Sequence, residues 1–485
     1  MLRRPRAPPL LRSLLVAVVL VCCASAHGDH AHAPTAEAAK APVDARLWLH
    51  IGLETTAWAV LFPLAMVLGL VRHRLHAPLS AAAIFLSLLA YLFGQHHGGR
   101  QFRHTVHGTF ASVLFVALLT QLACGVYLKL HLTWSRERTV RPIVLGIHGV
   151  LGRAFPVLGW TQMVFGVATL QSWCNGGHLG QCLAHYIMGS AFAAYAVILL
   201  IMMKCAVEWL RRRGWAQEYL DSWVILLWGI INTFTEHQGG PWTHKDLQHT
   251  LMGVLWWTGG ALGVWLSRHG RRSIVPATII FLTGWGMSVH SQVLAISTHI
   301  HAMFGYALMA GGVCRIVEIC FVLHDQPSGT SGETERGAWF PTHLVQYLPP
   351  FLLVAGAFLF MSATDEEMRW ADSHGIDFAT WAMIDLSAAF LLFFWMNVLI
   401  DTYVGYGGRY GLANAPASEE APAWSYAPVH EAQEAPAQET HKRPLQAPPE
   451  SIVMQAYEPP TTHVLEDDED PFADESRVEG TVALP

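Results

Sequence analysis

Four histidines near the ends of long apolar stretches carry the chemistry that this sequence suggests first: His50, His76, His107 and His148. Imidazole nitrogen is a usual ligand of haem iron and of transition metals, and histidine is expensive to place in lipid. If the apolar stretches are helices of alternating direction, His50 and His107 fall at one membrane face and His76 and His148 at the other. Each pair could then hold a haem b between two imidazoles. For any single one of them the alternative is a side chain that reaches the interface from a helix end.

A second cluster of metal-ligating side chains occupies the other half of the chain, where the same alternation places it at or near one end of the sixth to ninth helices. Imidazole nitrogens and carboxylates are ligands for transition metals, so the cluster predicts a metal site. Two alternatives stay open: a structural polar network and a proton or substrate pathway. The members are His237, His244, His249, His290, His299, His301, Glu236 and Asp246.

The composition indicates that membrane-spanning helices position these residues. Only 14% of the 485 residues are charged and 52% are hydrophobic, whereas about 25% of a typical soluble protein is charged. With a mean hydropathy of +0.32, most of the apolar surface must face lipid, and we predict an all-α polytopic transmembrane bundle of about 11 helices. The predicted spans are 47–71, 78–95, 104–130, 142–170, 183–205, 222–235, 249–267, 273–293, 300–323, 344–362 and 378–404.

The ends of the chain and the loops predict its topology. Residues 1–26 have the arginines, apolar core and Ala24-Ser25-Ala26 of a cleavable secretory signal, and residues 27–46 read as a histidine-containing lumenal linker. With a lumenal or extracellular amino terminus, every loop predicted to face the cytosol is basic. Cys174 and Cys182 then share one loop on the oxidising side, where a disulfide is expected. We therefore predict a multi-pass protein of the secretory membrane system.

The carboxy-terminal segment 406–485 is predicted to be a disordered, acidic, cytosolic tail. Residues 418–485 contain fifteen acidic and three basic residues, a net charge of −12, which leaves +6 for residues 1–417. The tail lacks apolar periodicity. The mild positive charge of the body fits a membrane protein, and nothing in the sequence indicates a nucleic-acid partner.

Three segments of the first half resemble the core helices of cytochrome b561 domains: Leu49 to Pro63, His107-Gly-Thr-Phe with Gln121 and Gly125, and His148-Gly-Val-Leu-Gly152-Arg153 with Gln162 and Gly166. The resemblance covers about residues 45–205 and implies a b561-like domain over 47–205. It implies that His50 pairs with His107 and that His148 pairs with a second-helix histidine. The family's second-helix histidine lies inside the helix start, whereas His76 stands just before a proline, so one or two haem b groups are expected.

The second half, residues 206–405, resembles the carboxy-terminal domain of the fungal Ytp-type family. The similarity rests on the segments from Trp228 to His237 and from Trp242 to Gly253. This resemblance implies an architecture of two joined transmembrane domains. It does not supply a reaction.

These features predict an integral membrane haem b protein that carries electrons to a lumenal or extracellular acceptor, with Fe(III) or Cu(II) reduction as a candidate enzyme activity. Arg72, Arg74 and Arg153 would attract an anionic cytosolic donor such as ascorbate. The competing prediction is a transporter or scaffold without redox chemistry, whose intramembrane histidines bind or relay a cation. Lipid is the partner that both predictions share.

Overall fold

The fold is built from helices joined by short connections in the part of the chain that the computed structural model describes, residues 37–38, 41–130, 137–174, 179–237, 241–289, 292–323 and 344–407. Besides helices, these residues form a single antiparallel bridge, between Val43 and Gly99. In chain order the helices are α1 Ala45–Leu70, α2 His76–Gln95, α3 Val106–Lys129, α4 Glu137–Gln171, α5 Leu179–Lys204, α6 Val207–Arg213, α7 Gln217–Thr235, α8 His244–Ser267, α9 Val275–Ser288, α10 Ala295–Val322, α11 Leu348–Met361, α12 Asp365–Ser373 and α13 Phe378–Gly407.

Eight helices among these residues are long and apolar enough to cross a membrane, which confirms the all-α polytopic bundle. They are α1, α2, α3, α4, α5, α10, α11 with its preceding 3₁₀ turn, and α13. The remaining three predicted spans fall on α7, α8 and α9, which are shorter or less apolar than the eight. The predicted signal segment 1–26, most of the linker 27–46 and nearly all of the tail 406–485 lie outside the described residues.

Helices α1 to α4 share one hydrophobic core. It is built around the side chains of Trp58, Phe62, Leu114 and Phe155. Trp58 lies in a π-helical turn of α1, Thr56–Leu61, and donates a hydrogen bond from its indole Nε1 to Ser87 Oγ of α2 at 3.1 Å. Such turns interrupt the regular helix locally and are frequent at functional sites. The aromatic side chains of this core lie between the two ends of the four-helix bundle.

A second hydrophobic core joins α5 to the later helices. It contains Ala196 and Leu200 of α5 together with Phe304, Leu308 and Phe360. By packing, the fifth helix therefore belongs with the second half, whereas the sequence interpretation placed the boundary after residue 205. The indole Nε1 of Trp395 donates to the Ala59 carbonyl at 2.9 Å and links α13 to α1, and the described residues up to 407 belong to one compact unit.

Candidate functional site

The four predicted histidines of the first half form two close pairs. The ring centres of His50 and His107 are 6.2 Å apart with ring planes at 80°, and those of His76 and His148 are 6.1 Å apart at 85°. The first pair lies where α1 and α3 begin, called here the His50 end. The second pair lies at the opposite end of the same bundle, called here the His76 end.

The backbone of a neighbouring helix fixes the orientation of three of these rings. Nδ1 of His50 donates to the Ala90 carbonyl at 2.9 Å, Nδ1 of His76 donates to the Ala65 carbonyl at 2.8 Å, and Nδ1 of His107 donates to the Gln162 carbonyl at 3.3 Å. A carbonyl only accepts, so Nδ1 carries the proton, and in a neutral imidazole Nε2 keeps its lone pair. That is the form in which histidine binds a metal.

Two equivalent hydrogen bonds join α3 and α4, each from a glutamine side chain of one helix to the backbone carbonyl of a histidine on the other. The Gln162 amide donates to the His107 carbonyl at 3.0 Å, and the Gln121 amide donates to the His148 carbonyl at 3.2 Å. The fourth histidine ring lacks the hydrogen bond that the other three rings make through Nδ1. Nδ1 of His148 is buried and makes no hydrogen bond within the described residues. The His148 ring is therefore the least firmly held of the four.

Each ring lies against a glycine of the adjacent helix. A methyl group added at Gly94 would lie 2.7 Å from His50 Nδ1, and one at Gly69 would lie 2.8 Å from His76 Nδ1. A methyl group added at Gly166 would lie 3.2 Å from His107 Cε1, and one at Gly125 would lie 3.5 Å from His148 Cε1. At Gly94 and Gly69 a side chain would occupy the space of the imidazole, at Gly166 the contact would be tight, and at Gly125 it would be an ordinary van der Waals contact. We call Gly69, Gly94, Gly125 and Gly166 the cradle glycines.

The His50 end also contains a cavity of about 530 Å³. His50, His107, Glu54 and Gly108 are among its lining residues, and most of the lining is apolar. Ser87 Oγ donates to Glu54 Oε2 at 2.8 Å, so this carboxyl is hydrogen-bonded within the bundle. A cavity of this size with a few convergent polar groups is typical of a cofactor or small-molecule site.

These residues fit a haem held by two axial imidazoles. A metal bound to two opposed Nε2 atoms at about 2 Å, the usual metal–imidazole distance, places the ring centres about 6 Å apart. Both observed ring separations match that value. His76 is the first residue of α2, so the helix begins two residues before the predicted start at 78. Pro78 is tolerated there because the first turn of a helix has no intrahelical N–H bonds to lose.

Four members of the predicted metal cluster of the second half form two pairs. Nδ1 of His249 lies 2.7 Å from Glu236 Oε1, and Nδ1 of His237 lies 3.8 Å from Asp246 Oδ2. The His237 ring stacks on Trp242 with centres 3.9 Å apart. Asp246 forms a capping box with Thr243 at the start of α8, and the hydrogen bond from the Thr243 amide lowers the pKa of the Asp246 carboxyl. Asp246 therefore has a structural role at a helix terminus.

The other predicted ligands have different surroundings in the described residues. His244 is exposed at the start of α8, His299 is exposed and stacks on Phe378 at 4.4 Å, and His290 lies outside the described residues. His301 is buried and faces His185, a residue that the sequence interpretation did not select. His185 could have been found as a polar residue inside a predicted span.

Among the described residues, one group of three potential ligands has its donor atoms within 4.8 Å of one another: Cys174, Cys182 and Glu366. The two cysteines are joined by a disulfide, with their Cα atoms 5.3 Å apart, so they offer no thiolate to a metal. This bond confirms the disulfide predicted for the loop. A metal centre assembled from the eight predicted residues stays a prediction.

A buried ionic network forms a second notable site, in α7, α10 and the segment before α9. Glu218, 1% exposed, accepts from Arg315 Nη2 at 2.7 Å and from Arg272 Nη1 at 3.2 Å. Arg315 Nη1 also binds Glu318 Oε2 at 2.7 Å. The network lies on the wall of a largely apolar cavity of about 550 Å³. In such surroundings a charge without its partner is strongly destabilising.

Replacing Glu218 with glutamine is therefore expected to lower the free energy of unfolding by about 3–5 kcal/mol, because Arg315 and Arg272 would lose their shared carboxylate. Glu208 offers a matched control, since it also pairs with two arginines, Arg211 and Arg212, at 2.7 and 2.8 Å, but on the surface. Glu208→Gln is expected to change stability by less than about 1 kcal/mol. Thermal unfolding of both variants in detergent measures the difference, and equal effects would contradict this account of the network.

The chain matches two protein-family models. The family model described as "Protein YTP1-like, C-terminal" matches residues 158–404, and the model described as "Domain of unknown function (DUF2427)" matches residues 30–131. The first of these begins inside α4. No solved structure matches the chain.

The curated relatives are fungal. Protein YTP1 of Saccharomyces cerevisiae is 43% identical over 262 residues, 53% of this chain and 54% of the relative. An uncharacterized membrane protein of Schizosaccharomyces pombe is 25% identical over 283 residues, 48% of this chain and 53% of the relative. The chain thus spans about half the length of the curated relatives it matches. Neither model's description assigns an activity, so the resemblance to cytochrome b561 stays a prediction.

Proposed function

The chain belongs to the YTP1-like family of membrane proteins, and we propose that this member is a transmembrane electron carrier with two haem b groups. His50 and His107 would hold one haem and His76 and His148 the other. The observation that supports this most directly is the repetition of one ring separation, 6.2 and 6.1 Å, at the two ends of a single four-helix bundle. Two pairs with nearly the same separation, each ring lying against a glycine, favour a repeated ligand.

The separation of the pairs along the bundle suits transfer across a membrane. His107 and Gly125, which contacts His148, are about 27 Å apart along α3 at the usual helical rise. This is close to the thickness of a hydrocarbon core, about 30 Å. Trp58, Phe62 and Phe155 fill the interior between the two ends. The two sites therefore lie near opposite membrane faces.

The role of the protein residues is to hold and insulate the cofactor. Bound haem supplies reversible one-electron chemistry. The carbonyls of Ala90, Ala65 and Gln162 keep three imidazoles in the tautomer that presents Nε2, and the aromatic core excludes water between the sites. The cradle glycines let the rings approach the neighbouring backbone.

Charge suggests the direction of transfer. Arg72 and Arg74 follow α1 at the His76 end, and Arg153 lies five residues after His148 on α4. These cations would attract an anionic reductant such as ascorbate to the face that the basic loops assign to the cytosol. The His50 end would then face the lumen or the exterior and deliver electrons to an acceptor there, such as a ferric or cupric ion.

Reconstituted vesicles test this function. Vesicles loaded with ascorbate and containing the purified protein should reduce external ferricyanide, which does not cross the bilayer, faster than vesicles without protein. His107→Ala and His76→Ala should each abolish the added rate, since each interrupts the path at one end. A rate equal to that of protein-free vesicles would contradict the proposal.

A substitution that fills the cavity without touching a ligand provides an independent prediction. Gly108 lines the cavity at the His50 end, and a methyl group added there would meet no atom within 4 Å. Gly108→Leu is therefore expected to occupy cofactor space and reduce the haem content, while the helices remain folded. Gly52 is equally open but is not among the cavity-lining residues, so Gly52→Leu is the control and should keep full haem. Equal haem in both variants would contradict a cofactor in this cavity.

A second candidate function is carriage of a small molecule by the second half of the chain, without redox chemistry. The largely apolar cavity of about 550 Å³, with Glu218, Arg272 and Arg315 on its wall, favours this alternative. A transporter or scaffold of this kind would lack haem. The absorption spectrum of the purified protein therefore separates the two candidates.

A further inference from the structure

Exposed arginines cluster where the turn between α6 and α7 meets the turn between α8 and α9. The two turns are in contact, because a methyl group added at Gly270 would lie 3.2 Å from the carbonyl oxygen of Gly214. Three of the arginines end α6 and two follow α8. We call this group the arginine surface, and its members are Arg211, Arg212, Arg213, Arg268 and Arg271.

The arginine surface carries positive charge that nearby acids do not balance. Glu208 accepts from Arg211 at 2.7 Å and from Arg212 at 2.8 Å, so one carboxylate serves two guanidinium groups. The other three have no carboxylate partner among the described residues, and they are Arg213, Arg268 and Arg271. Such a surface attracts anions, and the guanidinium fork matches the geometry of phosphate.

Tryptophan rings hold two of these arginines. The Cζ atom of Arg213 lies 5.5 Å from the ring centre of Trp209 and 5.4 Å from that of Trp215, and the Cζ atom of Arg268 lies 4.6 Å from the ring centre of Trp265. A guanidinium over an aromatic ring still presents its N–H groups in its own plane. Tryptophan is enriched where lipid headgroups meet the hydrocarbon. The rings therefore favour a position of the arginine surface at the depth of the lipid phosphates.

The cavity of about 550 Å³ in the second half begins beside this surface. Val207 of α6 lines it, and so does Arg272, which directly follows Arg271. The lining residues of α5 extend from Met203 to Met188, about 22 Å at the usual helical rise. One leaflet of a bilayer has an acyl layer of about 15 Å, half of the hydrocarbon core. The cavity is therefore long enough to take an acyl chain.

Polar and apolar lining residues lie at different ends of this cavity. Glu218, the second residue of α7, binds both Arg272 and Arg315, so the ionic network lies at the end next to the arginine surface. Farther along α7 the lining side chains are apolar, and they are Val224, Ile225 and Trp228. The cavity is thus polar near the arginine surface and apolar beyond it, as a phospholipid is polar at its head and apolar along its chains.

We propose that the arginine surface and this cavity bind one anionic phospholipid of the surrounding bilayer, with its phosphate on the arginines and an acyl chain in the cavity. The basic loops assign this face to the cytosol, and the cytosolic leaflet contains the anionic lipids. The site is independent of haem, because its cavity shares no lining residue with the cavity at the His50 end. It gives the cavity of the second candidate function a ligand class without requiring transport.

Lipid binding by the full-length protein tests the head of this site. Native mass spectrometry of the protein in detergent, titrated with phosphatidylserine or with phosphatidylcholine of the same acyl chains, counts the bound lipids and gives their affinities. We expect one phosphatidylserine per chain, bound at least about ten-fold more tightly than phosphatidylcholine. Arg213→Gln should weaken phosphatidylserine binding about five-fold, and the triple variant Arg213→Gln, Arg268→Gln, Arg271→Gln about 100-fold.

Arg138→Gln is the matched control for charge alone. Arg138 is exposed at the start of α4 and belongs to a loop predicted to face the cytosol, but it does not line the cavity. Its replacement should leave the affinity unchanged. Equal affinity for the two lipids, or wild-type affinity in the triple variant, would overturn the proposal. So would a loss from Arg138→Gln as large as the loss from Arg213→Gln.

A cavity-filling variant tests the position of the acyl chain. Ala194 of α5 lines the cavity, and Ala194→Phe should weaken phosphatidylserine binding at least about ten-fold because the ring takes the space of the chain. Ala184→Phe is the control, since Ala184 is exposed on the same helix but does not line the cavity. Glycerophosphoserine, which has the same headgroup and no acyl chain, should not displace the lipid.

Circular dichroism of every variant establishes that the helices are folded, and lipid retention is measured whether or not haem is bound. Failure of the haem proposal therefore leaves this test intact. Wild-type affinity in a folded Ala194→Phe variant, or displacement of the lipid by glycerophosphoserine, would contradict an acyl chain in the cavity.

Discussion

His107→Ala is expected to halve the haem bound per polypeptide, because it removes one of the two axial ligands at the His50 end and leaves the His76 end intact. His76→Ala should remove the other half, and the double variant should contain no haem. The pairs share no ligand and lie on opposite sides of the aromatic core. Pyridine haemochrome assays, divided by protein concentration, measure the content.

Neighbouring histidines provide the controls for this experiment. His104 is exposed at the His50 end and also lines the cavity, and His73 packs against Tyr406 close to His76 in the chain. Alanine at either position should retain the full haem content. If His107→Ala keeps all of its haem, or if His104→Ala loses as much as His107→Ala, the assignment of the axial pair is incorrect.

Gly94→Ala is expected to remove most of the haem at the His50 end although glycine binds nothing itself. Its new methyl group would lie 2.7 Å from His50 Nδ1, closer than real contacts allow, so the imidazole must leave its hydrogen bond with the Ala90 carbonyl. The resulting loss of haem should approach that of His50→Ala. Haem content and the reduced spectrum of the purified variant measure it.

Among the cradle glycines, Gly125 provides the control for Gly94. At Gly125 the same methyl group would lie 3.5 Å from His148 Cε1, an ordinary van der Waals contact. Gly125→Ala should therefore retain haem at the His76 end. Equal loss from Gly94→Ala and Gly125→Ala, or full retention in both, would show that the glycines do not position the ligands.

Much of the fold could be predicted from composition and apolar periodicity, because a chain with so few charges has to bury its helices in lipid. Alternation of helix direction was also sufficient to sort His50 with His107 and His76 with His148. The start of α2 was harder to predict. Proline is typical of the beginning of a helix, which favoured a start at Pro78, but the first turn also tolerates proline at its third position.

The cradle glycines and the His185–His301 pair could not be predicted in the same way. Whether Gly94 contacts His50 depends on how α1 and α2 cross, and no local pattern encodes that crossing. His185 and His301 are far apart in the chain and meet only when α5 packs with α10 in the second core. The pairing of Glu236 with His249 likewise depends on the angle between α7 and α8. Side-chain type alone therefore selects candidate ligands but does not show which of them are in contact.

The most direct test of the central claim is the dithionite-reduced minus air-oxidised absorption spectrum of the purified full-length protein, combined with its haem content. The two-haem account predicts the sharp bands of low-spin, bis-histidine haem b and two haems per polypeptide. A protein that is folded, as judged by its helical circular dichroism, and shows no b-type bands would contradict it.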